Sequence, residues 1–584
     1  TLDGAIGTSG GVLTGLDINS VDGASGAIEI TNIGSGSTAG VGGTVEIGNN
    51  ATSSLTLDGT LYLTNGATTY EADGTGNDIR ITGGTNVTIS TQDDALTFDN
   101  ANILLNNSAD GTTTLSTGTG GGNLTIDGNI VGTSGKSENL TILSGTGNLT
   151  ISGSIGLTQA VADLTINASQ DGDVTIASIG TDSVVGASGT TLIGNTTTDA
   201  MSLTGAEYNT TGSQKYSAKT GGQNIAISGT VAQFATSGAN IEFDTSGVSL
   251  NNDGTTVVTT GSGGGAVTFD GNIEGTDVAN ADGLQVISGT GAITFTGSIG
   301  ATNELDELSV NAQGISGVGT GAITFSNAIG AGGQVGVVGT TAIGNENTTQ
   351  ITFSNGTLKF DGATTFRATD DNSGDDANIE IAAATTIDTD GNSFTVTGSK
   401  LDLADGANLT VNSDGGAIVI SGIEGNDDET VTINANDTDA SGETVETVSV
   451  GAIGDAGHSM IHDVIITGDG GITLTGNIEL AEDTDGGGSA AAVLTFNDKV
   501  IVDGSVSLDV NDGSANDGAI TFTGNIDGTS GSGDNLTIES GSAALTLVAI
   551  GQTTALDQLT INPAGAGVIL SLIHISEPTR LSAI

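Results

Sequence analysis

The chain has 584 residues, of which 97 are glycine and 2 proline, with no cysteine and no tryptophan. Its 68 acidic residues face 9 basic ones, a formal charge of −59 that opposes binding to a nucleic-acid backbone or an anionic membrane surface. Collagen is excluded by the missing Gly-X-Y period and disulfides by the missing cysteine, and no apolar run approaches the roughly 18 residues of a spanning helix. Leu, Ile, Val and Phe make up roughly a quarter of the chain and arrive in alternating clusters, which argues for a folded protein against disorder.

The first residues, TLDGAIGTSGG, already run in mid-pattern, so the chain is expected to continue upstream. From Gly121 the sequence GGNLTIDGNIVGTSGKSENLTILSGTGNLTISGSIG begins a long segment that returns from Gly264 and again from Asp517. Its apolar clusters start at Leu124, Leu140, Leu149 and Leu164, then at Val267, Leu284, Ile293 and Leu308, then at Ile520, Leu536, Leu545 and Leu559. Alternate clusters lie about 24 or 25 residues apart, the period of a repeat architecture. In NLTI, Leu149 and Ile151 point one way and Thr150 the other, the alternation of a half-buried strand. Gly, Asn, Asp and Ser between the clusters supply turns. No segment keeps a helical period; LTQAVADL, ATNELDEL and QTTALDQL are long enough for one or two turns at most.

Strands of three to five residues recurring at this spacing predict an all-β fold, a parallel β-helix with two or three strands per coil. Stacking at about 4.8 Å per coil would make some 20 coils an elongated rod on the order of 100 Å long. A string of β-sandwiches is the rival, but its strands are usually longer and its cores richer in large aromatics. Residues 1–569 are read as one repetitive solenoid. Residues 570–584 stand apart: LSLIHISEPTR at 570–580 resembles the in-frame translation of a common sequencing adapter and is expected to lie outside the fold.

Blocks such as GAITFTGSIGATNELDELSVNA and GTTAIGNENTTQITFSNGTLKF, with the unit at Gly300, Leu305 and Leu308 and again at Gly551, Leu556 and Leu559, resemble the strand-repeat regions of filamentous-haemagglutinin-like bacterial surface proteins. The resemblance implies secretion to the bacterial cell surface and a β-helical stalk or passenger acting in adhesion, aggregation or matrix. Its expected partners are a surface receptor, a glycan, matrix or a second copy. An S-layer-like structural protein dependent on calcium is the alternative, and a polysaccharide-active β-helix enzyme the third.

The residues offer little for catalysis. Cations outside the tail are scattered, at Arg80, Lys136, Lys215, Lys219, Lys359, Arg367, Lys400 and Lys499, and only Lys215 and Lys219 cluster. Acidic pairs such as Asp93–Asp94 and Asp427–Asp428 are expected to be solvated turn carboxylates. No catalytic residue and no resident cofactor is assigned. His458 and His462 have the spacing of a helical zinc pair, but the surrounding GDAGHSMIHDV reads as a solvent-facing loop entering a strand. Hard oxygen ligands for calcium gather instead at Asp370, Asp371, Asp375 and Asp376, and at Asp437, Asp439 and Glu443. Outward threonines at 125, 141, 150 and 165 could form a ladder, although single rows are a poor match for an ice-binding face.

Overall fold

In the computed structural model, residues 1–571 are described except positions 9, 22, 24, 77, 231, 427 and 532 and the segments 108–109, 168–170, 277–281, 316–318, 370–377, 437–445, 455–460, 482–490, 511–517, 541–542 and 562–568. Every regular element among the described residues is a β-strand, and every pair of strands is parallel. Coils follow one another about 26 residues apart. The protein is a parallel β-solenoid. It divides into two units, Thr1–Gly297 and Ser298–Ile584.

In the first unit each coil lays down three strands, one on each of three faces. The first face stacks Leu96–Asp99, Leu124–Ile126, Leu149–Ile155, Val174–Ile179 and Met201–Leu203 in register, Leu96 over Leu124, Leu149, Val174 and Met201. The second face aligns Ile79, Ile103, Ile130, Ile155, Ile179, Tyr208 and Phe234. The third aligns Leu115, Ile142, Ile166, Ile193, Tyr216, Phe243, Phe269 and Phe295. Each of these inward rows is buried, and together they form the core. Tyr216, Phe243, Phe269 and Phe295 stack face to face, with successive ring centroids 5.2, 4.8 and 5.4 Å apart.

The alternation read in NLTI holds. Leu149 and Ile151 are fully buried, whereas Thr150 is half-buried between Thr125 and Thr175. Outward threonines align as Thr97, Thr125, Thr150 and Thr175 on the first face and as Thr88, Thr114, Thr141 and Thr165 on the third. The strand Leu149–Ile155 then bends from the first face to the second at Gly153. A Cβ there would lie 2.2 Å from the carbonyl oxygen of Gly128 in the preceding coil, so only glycine permits the stack. Beside it, Asn129 donates to Asn102 Oδ1 and accepts the Ser154 N–H, tying three successive coils at one corner.

The second unit repeats the plan. One face aligns Ile351, Ile379, Leu401, Ile423, Ile453, Ile478, Leu508 and Ile538. A second aligns Ile343, Phe366, Val396, Ile420, Val450, Leu474 and Val502, and a third Leu358, Ile387, Val411, Ile433, Ile466, Phe496 and Phe522. At its far end Ile569–Ser571 pairs with Leu545–Leu547; residues 572–584 lie outside the described residues. The three stretches with weak helical character form turns and strands, because each carries its apolar residues to a corner and the next strand.

Candidate functional site

All seven calcium candidates, Asp370, Asp371, Asp375, Asp376, Asp437, Asp439 and Glu443, fall in segments outside the described residues, as does His458. His462 is described. It enters the strand Asp463–Thr467 as expected, but its side chain is only 12% exposed and its Nδ1 lies 3.3 Å from Asp463 Oδ1, so it is packed against the coil and not solvent-facing.

Two carboxylate clusters that the sequence did not single out assemble across coils. The first belongs to the third face of the first unit. There Lys215 on Gln214–Ser217 registers with Glu242 on Ile241–Asp244, and Ser217 with Asp244. Asp270 follows the next strand, Val267–Phe269. Oxygens of Glu242, Asp244 and Asp270 come within 4.8 Å of one another. Lys215 Nζ bridges two of them, 3.0 Å from Glu242 Oε1 and 2.8 Å from Asp244 Oδ2, and Ser217 Oγ donates to the same Asp244 oxygen. Burial, with the charges of Asp244 and Glu242 adding to it, holds the Asp270 carboxyl above the ordinary carboxylate range. A shallow groove of about 310 Å³ adjoins the cluster, lined by Gly194, Asn195, Thr196, Lys215, Ser217 and Asp244. Chemically this is a pair of carboxyl groups bridged by one ammonium, beside a third carboxyl held above its ordinary range.

The second cluster joins Asp405, Asp428 and Glu429 in the second unit. Glu429 is fully buried; Oε2 accepts the Asn426 N–H at 2.7 Å and Oε1 the Gly406 N–H at 3.2 Å. Asp428 Oδ1 accepts the same Gly406 N–H at 3.0 Å. Burial pushes the Glu429 carboxyl up to about 7, and the neighbouring Asp428 adds to the rise against the pull of the Asn426 N–H.

Elsewhere the acidic turn residues depart from the expectation of free solvation. Asp93, held at φ 82°, accepts the N–H groups of Thr119 and Gly120 in the following coil. Asp163 does the same for Thr190 N–H, and Asp428 reaches back to Gly406. The scattered cations are also ties between coils: Lys219 pairs with Asp199, Arg367 with Glu346 and Lys400 with Glu424. The sequence marked the aspartates as turn formers and the cations only as scattered, because the partners of both stand about a coil away. No family model, characterised protein or solved structure matches the chain.

Proposed function

We propose that the chain is a non-enzymatic structural segment, a stalk or passenger of a bacterial surface protein of the filamentous-haemagglutinin-like kind, acting outside the cell in adhesion, aggregation or matrix. The observation that carries this reading is the use made of polar side chains. Outward threonines align in rows, corner asparagines bind the next coil, and carboxylates and cations clasp one coil to another. Such a surface supports stacking and presents an acidic, hydroxyl-rich exterior to a receptor, a glycan or another copy. Coating beads with the purified chain and measuring attachment to cells, matrix and glycans, with light scattering for self-association, tests it. Failure in every one of these assays overturns the proposal. Self-association only with calcium would favour the S-layer-like alternative.

One observation favours a second reading, a polysaccharide-active site at Lys215, Glu242, Asp244 and Asp270. Carboxyl groups on neighbouring coils beside a groove, one of them held above its ordinary range, are the elements of glycoside hydrolysis. Release of reducing ends from a polysaccharide panel, lost in Asp270→Asn, would establish it in place of the first.

A further inference from the structure

Lys136 sits in the corner loop between Ile130–Val131 and Asn139–Leu143. Its Nζ reaches back to the preceding coil, where it donates to Asn106 Oδ1 at 2.6 Å and to the Asn107 carbonyl oxygen. Two residues along the same loop, Glu138 is 1% exposed. Glu138 Oε2 accepts the Thr133 N–H at 2.8 Å, while Oε1 is buried with no partner at hydrogen-bond geometry. Burial holds this carboxyl above the ordinary range, against the opposing influence of the Thr133 N–H, the Lys136 charge and the Asn107 N–H.

The same corner recurs in the first unit without the amine. LNNSADGTT at 105–113 matches LNNDGTT at 250–256, and Asp282 stands where Glu138 does. There Thr276 Oγ1, not an ammonium, donates to Asn251 Oδ1, at 3.4 Å. Asp282 has both oxygens used, Oδ1 by Asn252 N–H and Oδ2 by the Thr276 N–H and hydroxyl. A purely structural corner therefore works with a short, fully bonded carboxylate and no lysine. The corner at Lys136 adds an amine on an amide oxygen and a longer buried carboxyl whose Oε1 falls short of hydrogen-bond geometry.

We propose that Lys136 and Asn106 form an intramolecular isopeptide bond that covalently joins two successive coils. Lys136 is half-buried and Glu138 fully buried on the same loop, and in the reaction Glu138, whose carboxyl burial already holds above its ordinary range, takes up a proton from the Lys136 ammonium. The neutral amine adds to Cγ of Asn106, forming the C–N bond. Glu138 returns that proton to the departing amide nitrogen and takes up the second proton of the adding nitrogen, the old Cγ–Nδ2 bond breaks, and ammonia leaves. No oxidant or other reactant takes part. The product is a secondary amide in place of a primary amide and an amine.

The intact mass of the purified full-length chain tests this directly, since the bond removes one ammonia, a loss of about 17 Da. Succinimide formation at Asn65–Gly66 would remove the same mass, so the site must be mapped. Asp110 and Asp127 lie between Asn106 and Lys136, so cleavage at aspartates separates the two residues unless they are joined. The expected result is a branched peptide carrying Asn106 and Lys136 with that deficit, absent in Lys136→Arg and lost or greatly slowed in Glu138→Gln. Full sequence mass, or a deficit with Asn106 and Lys136 on separate peptides, overturns the proposal. A wild-type yield of branched peptide in Glu138→Gln overturns the role given to Glu138.

Discussion

Replacing Leu149 by Asp and, separately, Thr150 by Asp separates the inner row from the outer one at adjacent positions. Leu149 is fully buried, in register between Leu124 and Val174. Losing a buried leucine alone costs about 2–5 kcal/mol. A carboxylate placed among apolar rows adds a desolvation penalty, or is forced to take up a proton, for a further few kcal/mol as an order of magnitude. The sum is comparable with the roughly 5–15 kcal/mol that holds an ordinary domain together. Because each coil contacts only its neighbours, the damage should be local, opening the coils around Leu124, Leu149 and Val174 while distant ones stay closed. Thr150→Asp adds a charge to a half-exposed position and should change stability by no more than about 0.5 kcal/mol. Hydrogen exchange read by mass spectrometry gives the expected pattern directly: fast exchange over about three coils in the first variant, wild-type protection in the second. Equal protection in both, or equal loss, would refute the assignment of inward and outward rows.

Glu429→Gln should raise the melting temperature above pH 7 and flatten its pH dependence. The folded-state carboxyl sits at about 7 against an ordinary 4.5, so this group favours folding most below 4.5 and loses that contribution as pH rises through 7. A melting curve of Glu429→Gln that tracks wild type from pH 5 to 8 would contradict the burial argument. Asn129→Ala should cost about 1 kcal/mol in denaturant titrations, by removing the acceptor for Ser154 N–H and the donor to Asn102; no change in midpoint would show the corner bonds to be replaceable by water. Millimolar calcium should raise the melting temperature more than sodium chloride at matched ionic strength, with magnesium intermediate. Asp375→Asn with Asp376→Asn should weaken the calcium increment and leave the sodium effect largely intact; identical effects of calcium and sodium would reduce these loops to solvated turns.

The inner rows were legible because the apolar pairs of the long segments mostly straddle one threonine, as at Thr125, Thr141 and Thr150, and a three-residue alternation is enough to set inside from outside. Leu124 over Leu149 and Leu140 over Leu164 followed from the spacing of the long segments. The strands of the second face were harder to see. Ile130–Val131 is two residues long, and two residues cannot display a period. The observed step of about 26 residues exceeds the expected 24 or 25 because coils outside the three long segments carry longer loops, as from Thr68 to Leu96 and from Leu96 to Leu124. Least visible were the polar partnerships. That Asn129 bonds Asn102, or that Lys215, Glu242 and Asp270 converge, depends on the coil length between them, and loop lengths vary too much to place an individual side chain.

The chain has four tyrosines and no tryptophan. All four, Tyr62, Tyr70, Tyr208 and Tyr216, belong to the first unit and are completely buried, three of them stacked on or edging against phenylalanine rings. Dichroism in the tyrosine band and tyrosine emission of this protein are consequently reporters of Thr1–Gly297 alone, whereas the phenylalanine bands and the far-ultraviolet signal draw on both units. A melt followed in the two spectral windows reads the units separately without any label: coincident transitions mean that they unfold as one, and a far-ultraviolet step with no tyrosine counterpart belongs to Ser298–Ile584.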